Sequence, residues 1–354
     1  MQIGTATAEP GELEHGYLEV TDLPTGGSER LPVTIACGEQ TGPTLWVTGG
    51  VHGNESTGIA AVQDVLGSSV PEGLSGTVVC MPMCNPAGIR RTNRHSYYHD
   101  DDPNRFFPAT DAGDSTGRRV QELIDERLYE TIVESADALL DLHTAQVGSE
   151  PFVIRDRVLY GEARTESEAT ALAARLEDFA RATALPMVNE YPATEYADRN
   201  LHRSNAGAVL NEAGIPALTF ELGSHHAIED PYRAAGVAGV YGAMVHLEML
   251  PEMPAVVQGE TTTLESPVSY PVRRFVGPRA SVAGFCRPQV ETGVPFEAGD
   301  AIADIVSPHG TVRESLEAPH DGYVLGWRAP TTYENDAVAS LAIRDEGDLV
   351  VPRS

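Results

Sequence analysis

Between about residues 44 and 250, short apolar stretches of strand length alternate with segments of helical periodicity. That alternation restricts the chain to an α/β core, a mixed or largely parallel sheet flanked by helices. A strand expected at 44–48 (TLWVT) ends in Gly49-Gly50, and a helix follows near 56–66. A second strand covers 77–83. A helix runs from about 117 to 135, where Val120, Leu123, Ile124, Leu128 and Ile132 recur at helical spacing. Residues 137–143 (DALLDLH) read as a buried strand and 167–185 as an amphipathic helix. A further strand at 215–222 (IPALTFEL) is preceded by a helix and a Gly214 stop, and 231–249 is the last helix of the unit.

The pattern changes after Leu250. A Pro/Thr-rich connector (PEMPAVVQGETTT) leads into short strands separated by Gly and Pro turns. Two units are therefore expected, an α/β unit over 1–255 and a small all-β barrel or sandwich over 256–354. The second resembles the barrel-sandwich halves of biotinyl-like domains, whose carriers require a lysine at a hairpin tip. This chain has no lysine: all 24 of its basic residues are arginine. A lid or an oligomerisation module is then the expected role, and self-association is allowed. The same absence excludes a P-loop or Schiff-base lysine.

Asp plus Glu number 52, for a formal net charge of −28, which repels nucleic acid and anionic membrane surfaces, so neither is expected as a partner. No apolar run reaches the length of a membrane span, and the N-terminal MQIGTATAEPGELEHG carries no secretory pattern, so a cytoplasmic protein is expected. Cys37, Cys80, Cys84 and Cys286 are too scattered for a disulfide framework and read as core thiols.

Chemistry concentrates in four places. In Gly49-Gly-Val-His-Gly-Asn-Glu-Ser-Thr-Gly58, His52 and Glu55 stand three apart just past a strand end, where an imidazole and a carboxylate can converge on one ion. A capping Glu and a surface His explain that pair almost equally well. Asp141-Leu-His143 closes another buried strand, and His143 at the same sheet edge would complete the two-His, one-Glu zinc site of hydrolases. Asp141, on the same face by strand alternation, either orients that imidazole or is a helix-capping or solvated carboxylate. Asn85-Pro-Ala-Gly-Ile-Arg-Arg-Thr-Asn-Arg94 and Asp102-Pro-Asn-Arg-Phe-Phe-Pro108 bring arginine and asparagine together in an acidic chain. They point to carboxylate capture, or to pairing of Arg94 and Arg105 with Asp100, Asp101 and Asp102. Glu221, in Thr219-Phe-Glu-Leu-Gly223, is a carboxylate in an apolar strand end, placed for a catalytic base or for a structural ion pair. His95, His99, His202, His225 and His226 read as loop residues.

These motifs, in this order, resemble the succinylglutamate desuccinylase/aspartoacylase family, zinc carboxypeptidase-like amidohydrolases, over roughly residues 30 to 345. The resemblance implies that His52, Glu55 and His143 bind one Zn²⁺ per chain. It implies that Asn104 and Arg105 hold a substrate carboxylate, that Arg94, nine residues after Asn85, polarises the scissile carbonyl, and that Glu221 is the general base and acid. Arg203, in NLHRSN, stands for a second substrate arginine. The family's Asp-Leu-Asn-Arg is Asp-Pro-Asn-Arg here, and the loop between Arg94 and Asn104 is longer.

The implied activity is a zinc-dependent deacylase cleaving the amide of a small N-acyl amino acid or related N-acyl amine with a carboxylate. A metallocarboxypeptidase or an esterase could use the same zinc site, and a non-catalytic metal-binding scaffold is the alternative of another class. No G-x-S-x-G elbow supports a serine hydrolase. The acidic excess fits a salt-rich, halophilic cytoplasm, where screening lengths shrink to about 3 Å at 1 M. Fold or activity is expected to be lost as salt is lowered. Constant circular dichroism and turnover across a salt titration would refute this.

Overall fold

A computed structural model describes residues 1–67, 69–98, 102–108, 119–258 and 264–353. The strands and helices alternate as the sequence requires. β1 (Leu13–Asp22) and β2 (Ser28–Cys37) form an antiparallel pair. They are followed by β3 (Gln40–Gly49), α1 (Ser56–Leu66), β4 (Ser75–Met81), α2 (Val120–Ser135) and β5 (Ala138–Ala145). Next come β6 (Phe152–Arg155), α3 (Glu166–Ala182), β7 (Met187–Asn189), β8 (Ala217–Ser224) and α4 (Asp230–His246). The C-terminal part contributes β9 (Val272–Val276), β10 (Gly284–Pro288), β11 (Ala301–Val306), β12 (Val312–Glu317), β13 (Gly322–Trp327) and β14 (Ala339–Arg344).

A mixed sheet of twelve strands runs in the order Pro295–Phe296, β13, β14, β9, β7, β6, β8, β5, β3, β4, β2, β1. Its centre is parallel: β5 lies between β3 and β8 and pairs with both in the same sense. All eight residues of β5 are buried, as expected of a central strand covered on both faces. Leu139, Leu140 and Leu142 are wholly inaccessible, each contributing about 1.5–3 kcal/mol by burial. Ala61, Val62 and Val65 of α1 and Val240, Ala243 and Met244 of α4 join the same core.

Helix α1 has the bounds expected from the sequence, and the other core helices agree to within a few residues. The helix expected before Gly214 is shorter. One α-turn (Asn205–Ala208) runs into a π-turn (Val209–Ala213), and Gly214 ends it at φ +73°. The expected start of α2 at 117–118 lies outside the described residues.

The sheet continues without a break past residue 256, because β9 pairs in parallel with β7 through Asn189 and Arg273. A second sheet of β12, β11, β10 and Thr331–Thr332 packs Ile302 and Ile305 against Val324, Leu341 and Ile343 of the large sheet, giving the C-terminal part its two layers. All four cysteines are buried and free, and burial pushes the Cys80 and Cys84 thiols up, as suits inert core groups. Among the described residues, no helix is long and apolar enough to cross a membrane.

The turn after β3 is set by two glycines. Gly50 has φ +65°, a conformation costly for other residues. Gly58, in the first turn of α1, lies so close to β5 that a Cβ would stand 2.6 Å from the Leu142 carbonyl oxygen. Gly58→Ala is expected to cost about 1–3 kcal/mol of stability by overpacking. A thermal melt at the wild-type midpoint would show that helix and strand can separate freely.

Candidate active site

The parallel register places the chemistry at the C-terminal strand ends. Thr48 of β3 lies beside Asp141 of β5, and His143 of β5 lies beside Glu221 of β8. The chain leaving β3 turns at Gly50 and brings His52 and Glu55 over the same end, with Glu55 at the N-cap of α1. His52 Nδ1 is 2.8 Å from Glu55 Oε1, His143 Nδ1 is 2.7 Å from Glu55 Oε2, and the two Nδ1 atoms are 3.2 Å apart. All three side chains are buried.

The outer nitrogens settle which atoms face inward with lone pairs. His143 Nε2 is 2.9 Å from Asp141 Oδ2, and His52 Nε2 is 3.0 Å from Asp102 Oδ1. An ionised carboxylate only accepts, so this bonding pattern assigns a hydrogen to each Nε2, and in the neutral rings each Nδ1 is then a lone pair. Two nitrogen lone pairs and a carboxylate thus meet with no proton between them, an arrangement a cation satisfies. Ligands of a tetrahedral zinc at ~2.0–2.1 Å stand about 3.3 Å apart, close to the 3.2 Å between the imidazole nitrogens. Without a cation, the cluster must take up protons. Burial disfavours a charged His143, yet Asp141 and Glu55 raise it well above the ordinary histidine range. Burial likewise pushes Glu55 up, but the two imidazoles outweigh it and hold the carboxyl well below the usual range. Asp141 is itself fixed by the Thr48 hydroxyl at 2.7 Å, and Asn205 Nδ2 donates to that hydroxyl oxygen at 3.0 Å.

Arg94 reaches the cluster from the loop. Its Nη1 is 3.2 Å from Glu55 Oε1 and its Nη2 is 3.0 Å from Asp102 Oδ2. The reading of Arg94 as a partner of the local aspartates is met in Asp102, which pairs with Arg94 and also orients His52. His99, Asp100 and Asp101 lie outside the described residues. The Asn104 amide N–H donates to Asp102 Oδ1 at 3.0 Å, and Asn104 Oδ1 accepts from the Asn205 amide at 2.7 Å. Arg105 Nη1 donates to the Asn104 carbonyl at 2.6 Å, and its Nη2 is 4.0 Å from Asp102. Glu221 Oε2 is buried and, among the described residues, has no hydrogen-bond partner. Burial, with Glu55 beside it, raises Glu221 above the ordinary carboxylate range.

These side chains line one cleft of about 580 Å³, which holds His52, Glu55, His143, Arg94, Asn104, Arg105 and Glu221. Arg203, in the turn Leu201–Arg203, is not among its lining residues, and neither are His95 and His202. Partly exposed His225 does line it, with Nδ1 3.1 Å from the Ala145 carbonyl. Sequence reasoning missed Asp156, Glu190, Arg199, Arg274 and Arg328, which also face the cleft. Arg274 arrives on β9, far along the chain, and pairs with Glu190. Its only sequence signal was an arginine pair inside a short apolar strand.

A mixed α/β sheet with two buried imidazoles and a carboxylate at its strand ends is the class of protein that fold and site define. A model of the succinylglutamate desuccinylase/aspartoacylase catalytic domain matches residues 41–247, more than half of the chain, and the chain belongs to that family, a family of deacylases. It is 33% identical over 143 residues to the N-alpha-acetyl-L-2,4-diaminobutyric acid deacetylase of Halomonas elongata, a match spanning 40% of each chain. A succinylglutamate desuccinylase/aspartoacylase from Rhodobacter sphaeroides shares the fold, with TM-score 0.73, 23% identity, and 94% of this chain and 96% of that one covered. So does the product-bound ectoine utilization protein EutE (DoeB) of Ruegeria pomeroyi, with TM-score 0.73, 20% identity, and 97% and 99% covered.

Asp141→Asn puts an amide that can donate beside His143 Nε2, favouring the tautomer whose Nδ1 carries the hydrogen. Metal affinity is expected to fall about 10–100-fold in a chelator-competition titration. Unchanged affinity would refute the tautomer assignment.

Proposed function

We propose that the protein is a zinc-dependent hydrolase that cleaves the amide bond of a small N-acyl amino acid or related N-acyl amine bearing a carboxylate. The observation that carries this reading is the buried Oε2 of Glu221, without a hydrogen-bond partner among the described residues, in the same cleft as His52, Glu55 and His143. Family membership supports the deacylase class, and the inward lone pairs support the metal. His52, Glu55 and His143 would hold the zinc, which when bound would supply Lewis acidity and make water a better nucleophile near neutral pH. The remaining work falls to the chain's own groups. Glu221, raised in pKa yet a base when ionised, takes the proton of the attacking water and passes it to the leaving amine. Arg94, bonded to Glu55 at the rim of the cluster, donates to the carbonyl oxygen as negative charge builds there. Such a preorganised donor is commonly worth about 3–4 kcal/mol. Arg105, with the Nδ2 of Asn104, holds the substrate carboxylate and fixes the amide in line. Residues 1–255 would carry the reaction, with 256–354 adding Arg274 and Arg328 to the cleft wall.

Glu221→Gln is expected to lower kcat by about 10²–10⁴-fold on N-acetyl and N-succinyl amino acids while zinc content measured by metal analysis stays unchanged. Full activity in that variant would remove the catalytic assignment and favour a metal-binding scaffold. Release of free amino acids from peptides, with no action on N-acyl amino acids, would move the reading to a carboxypeptidase. Cleavage of acyl esters alone would make it an esterase.

A further inference from the structure

Resting on the reading of Arg94 as the group that polarises the scissile carbonyl, we propose that Glu29 of β2 is a positioning residue, which holds Arg94 in place by clamping both shoulders of its loop. Glu29 is wholly buried at the start of β2 and is not among the residues that line the cleft. Among the described residues, every side-chain hydrogen bond it makes goes to one loop segment. Arg90 grips it with both ends of the guanidinium, Nη1 donating to Oε2 at 3.0 Å and Nη2 to Oε1 at 2.9 Å. The Tyr98 hydroxyl donates to Oε2 at 2.5 Å. Arg90 stands four residues before Arg94 and Tyr98 four residues after it, so one buried carboxylate ties the two ends of a segment with Arg94 at its midpoint.

The loop is closed again one step further in. Arg90 Nη1 also donates to the Tyr97 hydroxyl at 3.1 Å, and the Arg91 guanidinium carbon lies 4.8 Å from the centre of the Tyr97 ring. Before it, Asn85 accepts from the Gly88 amide at 2.8 Å and caps the turn Pro86–Ile89, and the Asn93 amide donates back to the Gly88 carbonyl at 3.0 Å. Between these ties Thr92 has φ +50°, a left-handed conformation that a β-branched residue adopts only where its surroundings impose it. The clamp on Arg90 and Tyr98 supplies that imposition. Bidentate pairing fixes direction as well as distance. Burial and the Glu29 bond push the Tyr98 hydroxyl well up, so it stays a donor. Arg94 needs such backing, because Glu55 and Asp102 hold only the tip of a long, flexible stem. A shifted backbone can keep both ion pairs through another rotamer while the guanidinium loses its aim on the carbonyl oxygen. A misplacement of about 1 Å in a reacting site can cost about 100-fold in rate.

The test compares Glu29→Gln and Tyr98→Phe with the wild type, all zinc-loaded, on the N-acetyl amino acid that the wild type hydrolyses fastest. Each variant is expected to lower kcat about 5–30-fold with KM within about twofold, since the weakened interaction belongs to the transition state. Placed on Arg94→Gln, the same changes should alter kcat less than about twofold, because no guanidinium is left to misplace. An equal further loss in that background, a loss carried by KM, or an unchanged kcat in both clamp variants overturns the proposal. Tyr98→Phe removes one oxygen and carries these comparisons independently of Glu29→Gln. Amide hydrogen exchange gives a readout apart from turnover: in Glu29→Gln it should quicken about tenfold or more across 90–98, with β5 and 51–55 unchanged. Wild-type exchange across 90–98 in that variant overturns the clamp. Full activity of Arg94→Gln alone would instead remove the role given to Arg94. Faster exchange in a protein that hydrolyses no N-acyl amino acid would uphold the clamp and overturn the deacylase reading.

Discussion

The in-register parallel pairing of β3, β5 and β8 is the constraint on which the site depends. It sets Thr48 beside Asp141 and His143 beside Glu221, so a base, a ligand and the groups that orient that ligand share one strand end. A slip of one residue in β5 would turn Asp141 and His143 to the opposite face together. Complete burial of the strand is what forbids the slip, since every residue of β5 is matched to a covered environment. The apolar core thus fixes the position of the polar site.

Around that point, electrostatics is arranged in shells of alternating sign. Two imidazoles flank Glu55, Asp141 and Asp102 stand behind the imidazoles, and Arg94 closes the ring between Glu55 and Asp102. Each charge is low in cost only because its neighbours are present. Glu221 and Asp156 lie outside this ring, and burial pushes both upward against the pull of nearby cationic groups.

Local signals carried much of this. Strand and helix periodicity in the α/β part, and the Gly turn after β3, follow from residue spacing, and His52, Glu55, His143 and Glu221 stand next to strand ends that their own flanking residues define. The β1–β2 hairpin and the short strands β6 and β7 were not legible. β6 and β7 are three or four residues long and are held by partners distant in sequence. Arg274, Glu190 and Asp156 gave no local signal: Arg274 reaches the cleft through the docking of β9 on β7, and Asp156 and Glu190 lie just past the short strands β6 and β7. Arg203 shows the converse: a motif can resemble a site arginine while its turn places it outside the cleft lining. Asp102 was read as a partner for arginine, and no spacing rule linked it to His52, fifty positions away.

The seam between the two parts of the large sheet is narrow in backbone terms, with a single residue pair joining β7 to β9. Charge reinforces it: Arg157 with Asp345, Asn189 with Asp345 and Arg274 with Glu190 all cross from one part to the other. Removing one member of such a buried pair leaves the other uncompensated, at about 3–5 kcal/mol. The C-terminal part is consequently not an interchangeable attachment. Replacing the C-terminal segment by one without Asp345 and Arg274 would strand Asn189 and Glu190 unless both sides were exchanged together.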